Sequence, residues 1–178
     1  MNLLINIVAF KIGWISAVLG GANGMALAGT AVVLVAIGVH LFLVEEPSRE
    51  LVLIFLVGLI GLCSDSILVA AGWLTYTNGT FVGGFAPYWI IAMWMLFATT
   101  LNVTFRWLQR RLLLAAAIGA ISGPASYYAG SKLGAVELTE FMPAIVGLGV
   151  AWMLLFPAFL ILAKSLDGTQ PPILQSSV

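Results

Sequence analysis

Six long apolar runs divide this chain of 178 residues, and almost all of its charged residues fall between them. Each run reaches the length of about 20 residues that a helix needs to cross a bilayer core of roughly 30 Å. Hydrophobic residues make up 62% of the chain and charged residues 8%, whereas a soluble domain carries roughly 25% charged residues. The sequence therefore predicts an all-α fold, a polytopic membrane helical bundle with six transmembrane helices. The predicted spans are residues 2–20, 25–44, 51–73, 87–107, 112–131 and 141–163.

The distribution of lysine and arginine predicts the orientation of this bundle. Short loops on the cytoplasmic side of a membrane protein carry an excess of these residues. Only Lys132 lies on one side, so both termini are expected in the cytoplasm. The domain prediction is a transmembrane domain over residues 1–164 and a short, mobile cytoplasmic tail over residues 165–178. The opposite side holds Arg49, Arg106, Arg110, Arg111 and Lys164.

Two connections between the spans have distinctive sequences. Residues 45–50 are predicted to join the second and third spans, because Pro47 cannot continue a helix. The long external connection, residues 74–86, is uncharged, and aromatic residues in and beside it are expected to form an interfacial belt. The predicted belt contains Trp73, Tyr76, Phe81, Phe85, Tyr88 and Trp89.

Asp65 is one of two ionisable residues deep inside an apolar run. Such residues are costly in a membrane and are functional-site hypotheses by default. Gly58, Gly61, Asp65 and Gly72 recur at helical spacing, and small residues let another helix approach closely. Asp65 is therefore expected to face protein rather than lipid. It either joins two helices by hydrogen bonds or serves a ligand, an ion or a proton.

Lys11 is the second such residue. Its long side chain can reach toward the cytoplasmic surface, or it can act as a charge partner of Asp65. Their estimated depths, about 14 Å and about 22 Å from the cytoplasmic end, differ by roughly 8 Å. Both interpretations remain open on the sequence alone.

Polar residues in other spans complete the predicted ligand-binding set. The fifth span contains the pair Gly119 and Gly123, a helix-contact pattern, followed by Pro124, which is expected to kink the helix. Residues beyond the kink are placed at the depth of Asp65, where they form either a pocket or an ordinary packing surface. Asn102 needs a partner at its depth, so it either joins helices or lines a cavity. The predicted ligand-binding residues are Ser16, Asp65, Asn102, Ser126 and Tyr127.

The remaining residues that could bind a metal or take part in catalysis give little indication of function. His40 is interpreted as an interfacial hydrogen-bonding residue close to Glu45 and Glu46, and the single cysteine, Cys63, as a packing residue. No Cys/His metal pattern or phosphate loop is present, and no basic patch suggests nucleic acid. No cofactor, metal site or nucleic-acid partner is predicted, and the catalytic residues are unknown.

Three segments resemble an uncharacterised bacterial inner-membrane family, domain of unknown function 2878. They are FKIGWISAVLG at residues 10–20, FATTLN at 97–102 and GAISGPASYYAGSKLGAV at 119–136. The resemblance implies a Gram-negative inner membrane, and a genomic association of the family with fatty-acid-modifying enzymes. The family often has Gln where this chain has Lys11, so the resemblance does not imply lysine chemistry.

The function hypothesis is a protein that binds or transports an apolar or lipid-like molecule at an intramembrane polar site. The alternative is a membrane enzyme, or an anchoring subunit, of a fatty-acid or lipid modification system. The expected partners are membrane lipids, an apolar small molecule and a membrane or soluble protein.

Overall fold

A computed structural model describes residues 2–170 of the chain. This part forms a bundle of six α-helices, which confirms the predicted all-α membrane fold. It also contains a 3-10 helix, Arg106–Arg110, and two short strands, β1 (Leu74–Tyr76) and β2 (Val136–Leu138). Five of the helices are long and apolar enough to cross a bilayer, so the chain is a multi-pass membrane protein. The α-helices are α1 (Leu3–Ala22), α2 (Ala26–Leu43), α3 (Pro47–Ala70), α4 (Tyr88–Leu101), α5 (Leu112–Lys132) and α6 (Phe141–Ser165).

Two of the predicted boundaries were wrong beside polar residues that the structure buries, Glu50 and Asn102. Pro47 begins α3 instead of standing outside it, because a proline in the first helical turn loses no hydrogen bond. Glu50 therefore lies in the first turn of α3, and it is completely buried. The fourth helix ends at Leu101 rather than at residue 107, with Asn102 as its C-cap.

Helix α4 lies at the centre of the bundle. It packs against α1, α2, α3 and α6, and ten of its fourteen residues are buried. Its 14 residues extend about 21 Å, less than the hydrocarbon core of about 30 Å. The longer helices around it present the large apolar side chains to the outside, as shown by Phe42 and Leu113, which are 87% and 90% exposed. The neighbouring helices therefore cover most of the short helix.

The two ends of the bundle differ in structure. At the first, here called the strand end, β1 pairs with β2 in antiparallel register, with Thr75 opposite Glu137. This pairing joins the connection after α3 to the connection after α5. The other end, here called the basic end, contains the α2–α3 connection, the first turn of α3, residues 102–111, the last turn of α6 and residues 166–170. It holds five of the seven lysine and arginine residues of the chain.

The aromatic belt predicted at the strand end is only partly present. Phe81 and Phe85 are 84% and 53% exposed, as expected for interfacial residues, but Tyr76 and Trp89 are buried. The Trp89 indole donates a hydrogen bond to the carbonyl of Asn78 at 2.9 Å. The pairing of β1 with β2 folds this connection over the bundle, so part of its aromatic surface becomes core.

Small residues allow the helices to approach closely, as the sequence predicted. A β-carbon added at Gly61 would overlap the Trp94 ring of α4, and one added at Gly119 or Gly123 would overlap Trp152 of α6. The predicted contact roles of these glycines are confirmed. Gly72 does not share that role, because it lies beyond α3 in a turn with φ of 73°.

The segment that follows α6 returns to the bundle. The backbone of Gly168 accepts a hydrogen bond from the Glu46 N–H at 2.8 Å and donates one to Glu50 Oε1 at 3.0 Å. Residues 166–170 are thus held against the basic end, in contrast to the mobile tail predicted from residue 165 onward. The rest of that tail, residues 171–178, lies outside the described residues.

Candidate functional site

Asp65 is the centre of a buried hydrogen-bond cluster. Its side chain is 0% exposed, as predicted from the small face of α3. The Tyr76 and Tyr127 hydroxyls both donate to Oδ1, at 2.5 Å and 2.7 Å. The Trp94 indole donates to Oδ2 at 2.5 Å. One carboxyl group thus connects α3, β1, α4 and α5, and these four side chains are called the Asp65 cluster below.

The partners of Asp65 are all neutral. Within residues 2–170 no ion pair joins Lys11 to Asp65, so the charge partnership that the sequence left open does not form. Burial raises the pKa of Tyr76 well above its usual range, and the nearby Asp65 charge raises it further. The phenol therefore stays protonated and remains a donor. An indole N–H can only donate, so Asp65 Oδ2 must accept the bond from Trp94.

A cavity of about 430 Å³ adjoins this cluster and is called the lateral groove. Its walls are α1 and α5, which share no substantial interface, and α4 forms its floor. Its volume falls within the range of about 300–1,000 Å³ that is typical of small-molecule sites. The lining is mainly apolar and aromatic: Phe10, Trp14, Ile90, Met93, Trp94, Phe97, Phe105, Ala125 and Trp152.

Four residues bring polar side chains into this lining: Lys11, Ser122, Ser126 and Tyr127. The indole nitrogen of Trp152 is buried without a hydrogen-bond partner in the described part of the chain. Stacking places this indole against Trp94, with ring centroids 4.8 Å apart. The groove therefore combines an aromatic surface with a small number of polar atoms, which is the usual composition of a ligand site.

The predicted ligand-binding residues do not all meet at this groove. Ser126 and Tyr127 line it, and Asp65 lies behind it, bonded to Tyr127 and Trp94. Ser16 lies where α1 approaches α2, since its carbonyl would collide with a β-carbon at Gly29. Asn102 belongs to a separate cluster at the basic end. Sequence reasoning missed Trp94 and Trp152, which stand in apolar runs as ordinary core residues would.

The cluster at the basic end is built around Glu50, which sequence reasoning placed in a connection. Its Oε1 accepts a hydrogen bond from Asn102 Nδ2 at 2.8 Å and another from the Gly168 N–H. Its Oε2 lies 3.0 Å from His40 Nε2. Asn102 therefore joins helices, one of its two predicted roles, and the partner of His40 is Glu50 rather than Glu45 or Glu46.

The described residues contain few other reactive or metal-ligating side chains. Cys63 is exposed on α3, and no group of three potential metal-ligating side chains occurs in residues 2–170.

Comparison with known protein families gives a match to most of the chain. The model of a family described as "Protein of unknown function (DUF2878)" matches residues 3–158. The chain belongs to the DUF2878 family. This confirms the resemblance drawn from the three sequence segments. The match to DUF2878 includes α1 to α5 and most of α6, and therefore the whole Asp65 cluster and all residues of the lateral groove. No curated protein and no solved structure matches the chain.

Proposed function

We propose that this DUF2878 protein binds or transports an apolar or lipid-like molecule in the lateral groove. The supporting observation is an aromatic groove, between two helices that do not pack together, with polar donors along its wall. A ligand dissolved in the bilayer reaches such a groove from the side, without passing through water.

The polar atoms of the groove favour a ligand that carries a hydrogen-bond acceptor. A lysine ammonium and an indole N–H only donate hydrogen bonds. Lys11, which lines the groove, is therefore suited to a carboxylate, phosphate or carbonyl oxygen. Trp14, Met93 and Phe97 would contact the apolar part of the same molecule. A fatty acid or another amphiphile with a single polar end has this distribution of groups.

Asp65 has a positioning role in this proposal. It does not line the groove, but it holds two side chains that do, Trp94 and Tyr127. Buried networks with all members satisfied make the surrounding structure rigid. The cluster would keep this part of the groove wall in one conformation before a ligand enters.

The proposed location is the cytoplasmic membrane of a bacterium, with both termini inside. The concentration of lysine and arginine at the basic end supports this orientation through the positive-inside rule. The bacterial origin is part of the proposal, because it rests on the resemblance of the sequence to the family.

Mass spectrometry of small molecules that co-purify with the protein tests the groove. Ala125 and Ala117 are both exposed on α5, but only Ala125 lines the groove. Ala125→Phe should therefore displace the ligand, whereas Ala117→Phe adds the same ring elsewhere on the helix and should retain it.

The expected result is a defined apolar molecule on the wild type and on Ala117→Phe that is absent from Ala125→Phe. The same bulk lipids on all three proteins would refute the proposal. Lys11→Met adds a test of the polar end: it should weaken binding of an acidic ligand more than binding of its methyl ester.

A further inference from the structure

A second cavity, of about 730 Å³, lies at the basic end of the bundle. It shares no lining residue with the lateral groove. Four cationic side chains from three parts of the chain converge on it: Arg49 from the first turn of α3, Arg106 and Arg110 from the 3-10 helix, and Lys164 from the last turn of α6. This space is called the basic cavity.

The charges of the basic cavity are only partly compensated. Arg49 forms an ion pair with Glu46, and Arg106 forms one with Asp167 at 2.8 Å. Arg110 and Lys164 have no carboxylate partner within residues 2–170. Two cations without a carboxylate partner in this part of the chain therefore line one cavity, and cations that converge on a cavity attract an anion more strongly than isolated surface charges do.

Part of this cavity is rigid. The Arg106 Nε donates to the carbonyl of Asn102 at 2.8 Å, and its terminal nitrogen atoms contact Asp167 and Thr169. Gln109 is also fixed, by donation to Asn102 Oδ1 at 2.9 Å. These bonds hold the 3-10 helix against residues 166–170. The backbone that carries Arg110 is therefore fixed in position.

The basic cavity lies at the end of the apolar helices, where the headgroup layer of a bilayer is expected. Trp107, which lines it, is 54% exposed, and tryptophan is enriched where a membrane protein meets the headgroup layer. Both Lys164 and Arg110 lie at helix ends that face this level. Basic pockets between transmembrane helices commonly bind anionic headgroups.

We propose that the basic cavity binds a phosphate group, supplied by the headgroup of an anionic phospholipid. Arg110 and Lys164 would neutralise the phosphate, because guanidinium and ammonium groups both donate charge-assisted hydrogen bonds to phosphate oxygens. Both leaflets of a bilayer contain phospholipid, so the assignment holds for either orientation of the chain. It does not depend on the function proposed for the lateral groove.

Native mass spectrometry of the full-length protein in detergent, with added phosphatidylglycerol, phosphatidylcholine or inorganic phosphate, tests the proposal. The key comparison is Arg110→Gln with Arg111→Gln. The two arginines are adjacent and exposed, and their removal changes the charge of the same end equally, but only Arg110 lines the cavity. Lys164→Gln is a second variant of the lining.

The wild type should retain phosphatidylglycerol in preference to phosphatidylcholine. Arg110→Gln and Lys164→Gln should each weaken that binding about fivefold, as expected for one cation at a membrane surface, and Arg111→Gln should not. Binding of inorganic phosphate alone, with the same dependence on the variants, would support the phosphate site and assign it to a soluble source. Equal binding of phosphatidylglycerol and phosphatidylcholine would overturn the proposal. An equal loss of phosphatidylglycerol binding in Arg110→Gln and Arg111→Gln would also overturn it.

Discussion

Removing the Asp65 carboxyl should destabilise the protein far more than replacing it with an amide. Asp65→Ala leaves the Tyr76, Tyr127 and Trp94 donors without their common acceptor. Hydrogen bonds between transmembrane segments contribute about 0.6 to 1.7 kcal/mol each, so three of them correspond to about 2 to 5 kcal/mol. The free energy of unfolding of Asp65→Ala should fall by that amount.

Asp65→Asn should lose only about 1 kcal/mol, the value of one ordinary hydrogen bond. The amide oxygen can still accept from the Trp94 indole, and the amide NH₂ can donate to both tyrosines, because a hydroxyl oxygen also accepts. The same reasoning predicts that Asp65→Asn retains a ligand in the lateral groove, whereas Asp65→Ala releases it as Tyr127 and Trp94 lose their anchor.

Reversible unfolding in mixed detergent micelles, followed by tryptophan fluorescence, measures these free energies. Cys63→Ala is the matched control, since Cys63 is exposed two residues away on the same helix. An equal fall in the free energy of unfolding of Asp65→Asn and Asp65→Ala would show that the carboxyl acts through its charge. It would refute the conclusion that hydrogen bonds from neutral donors account for the contribution of Asp65.

Three further predictions concern packing, pH and the returning segment. Gly61→Ala should cost about 1 to 3 kcal/mol through overpacking against α4, whereas Gly38→Ala, which has open space around it, should be neutral or stabilising in the same unfolding assay. Since the pKa of Tyr76 is raised in the folded protein, its contribution to stability is complete below pH about 10 and declines above it as the unfolded chain ionises. Tyr76→Phe should flatten the alkaline limb of a plot of unfolding free energy against pH, and an unchanged limb would contradict this. Glu50→Ala should speed hydrogen exchange at the amide of residue 168 by about 5- to 160-fold, the equivalent of about 1 to 3 kcal/mol, whereas Glu45→Ala, which changes an exposed residue, should not.

Patterns within one helix led to correct predictions. The small residues of α3 and α5 showed which faces pack, and the position of Asp65 on the small face predicted its burial. Such inferences depend only on helical periodicity, because residues three or four positions apart share a face. The number of helices was predicted from hydropathy, which likewise depends only on residues that are close together in the sequence.

Contacts between distant parts of the chain escaped prediction. Glu50 stands at the edge of an apolar run, where a solvated carboxylate is the ordinary expectation. Its burial depends on Asn102 and on Gly168, which are 52 and 118 residues away. Tyr76 likewise looked interfacial because its role depends on how β1 and β2 fold over the bundle. No local pattern encodes such pairings.

The short central helix has an electrical consequence. Along the axis of the bundle, α4 accounts for about 21 Å of a layer that is about 30 Å thick elsewhere. The remaining depth at the basic end holds the carboxyl of Glu50, the amide of Asn102 and irregular backbone, which a membrane tolerates only inside protein. The helical part of this axis is therefore shorter than the hydrocarbon core by about a third. Buried polar groups at the basic end would stabilise a charged group that entered there, which the hydrocarbon around the bundle cannot do.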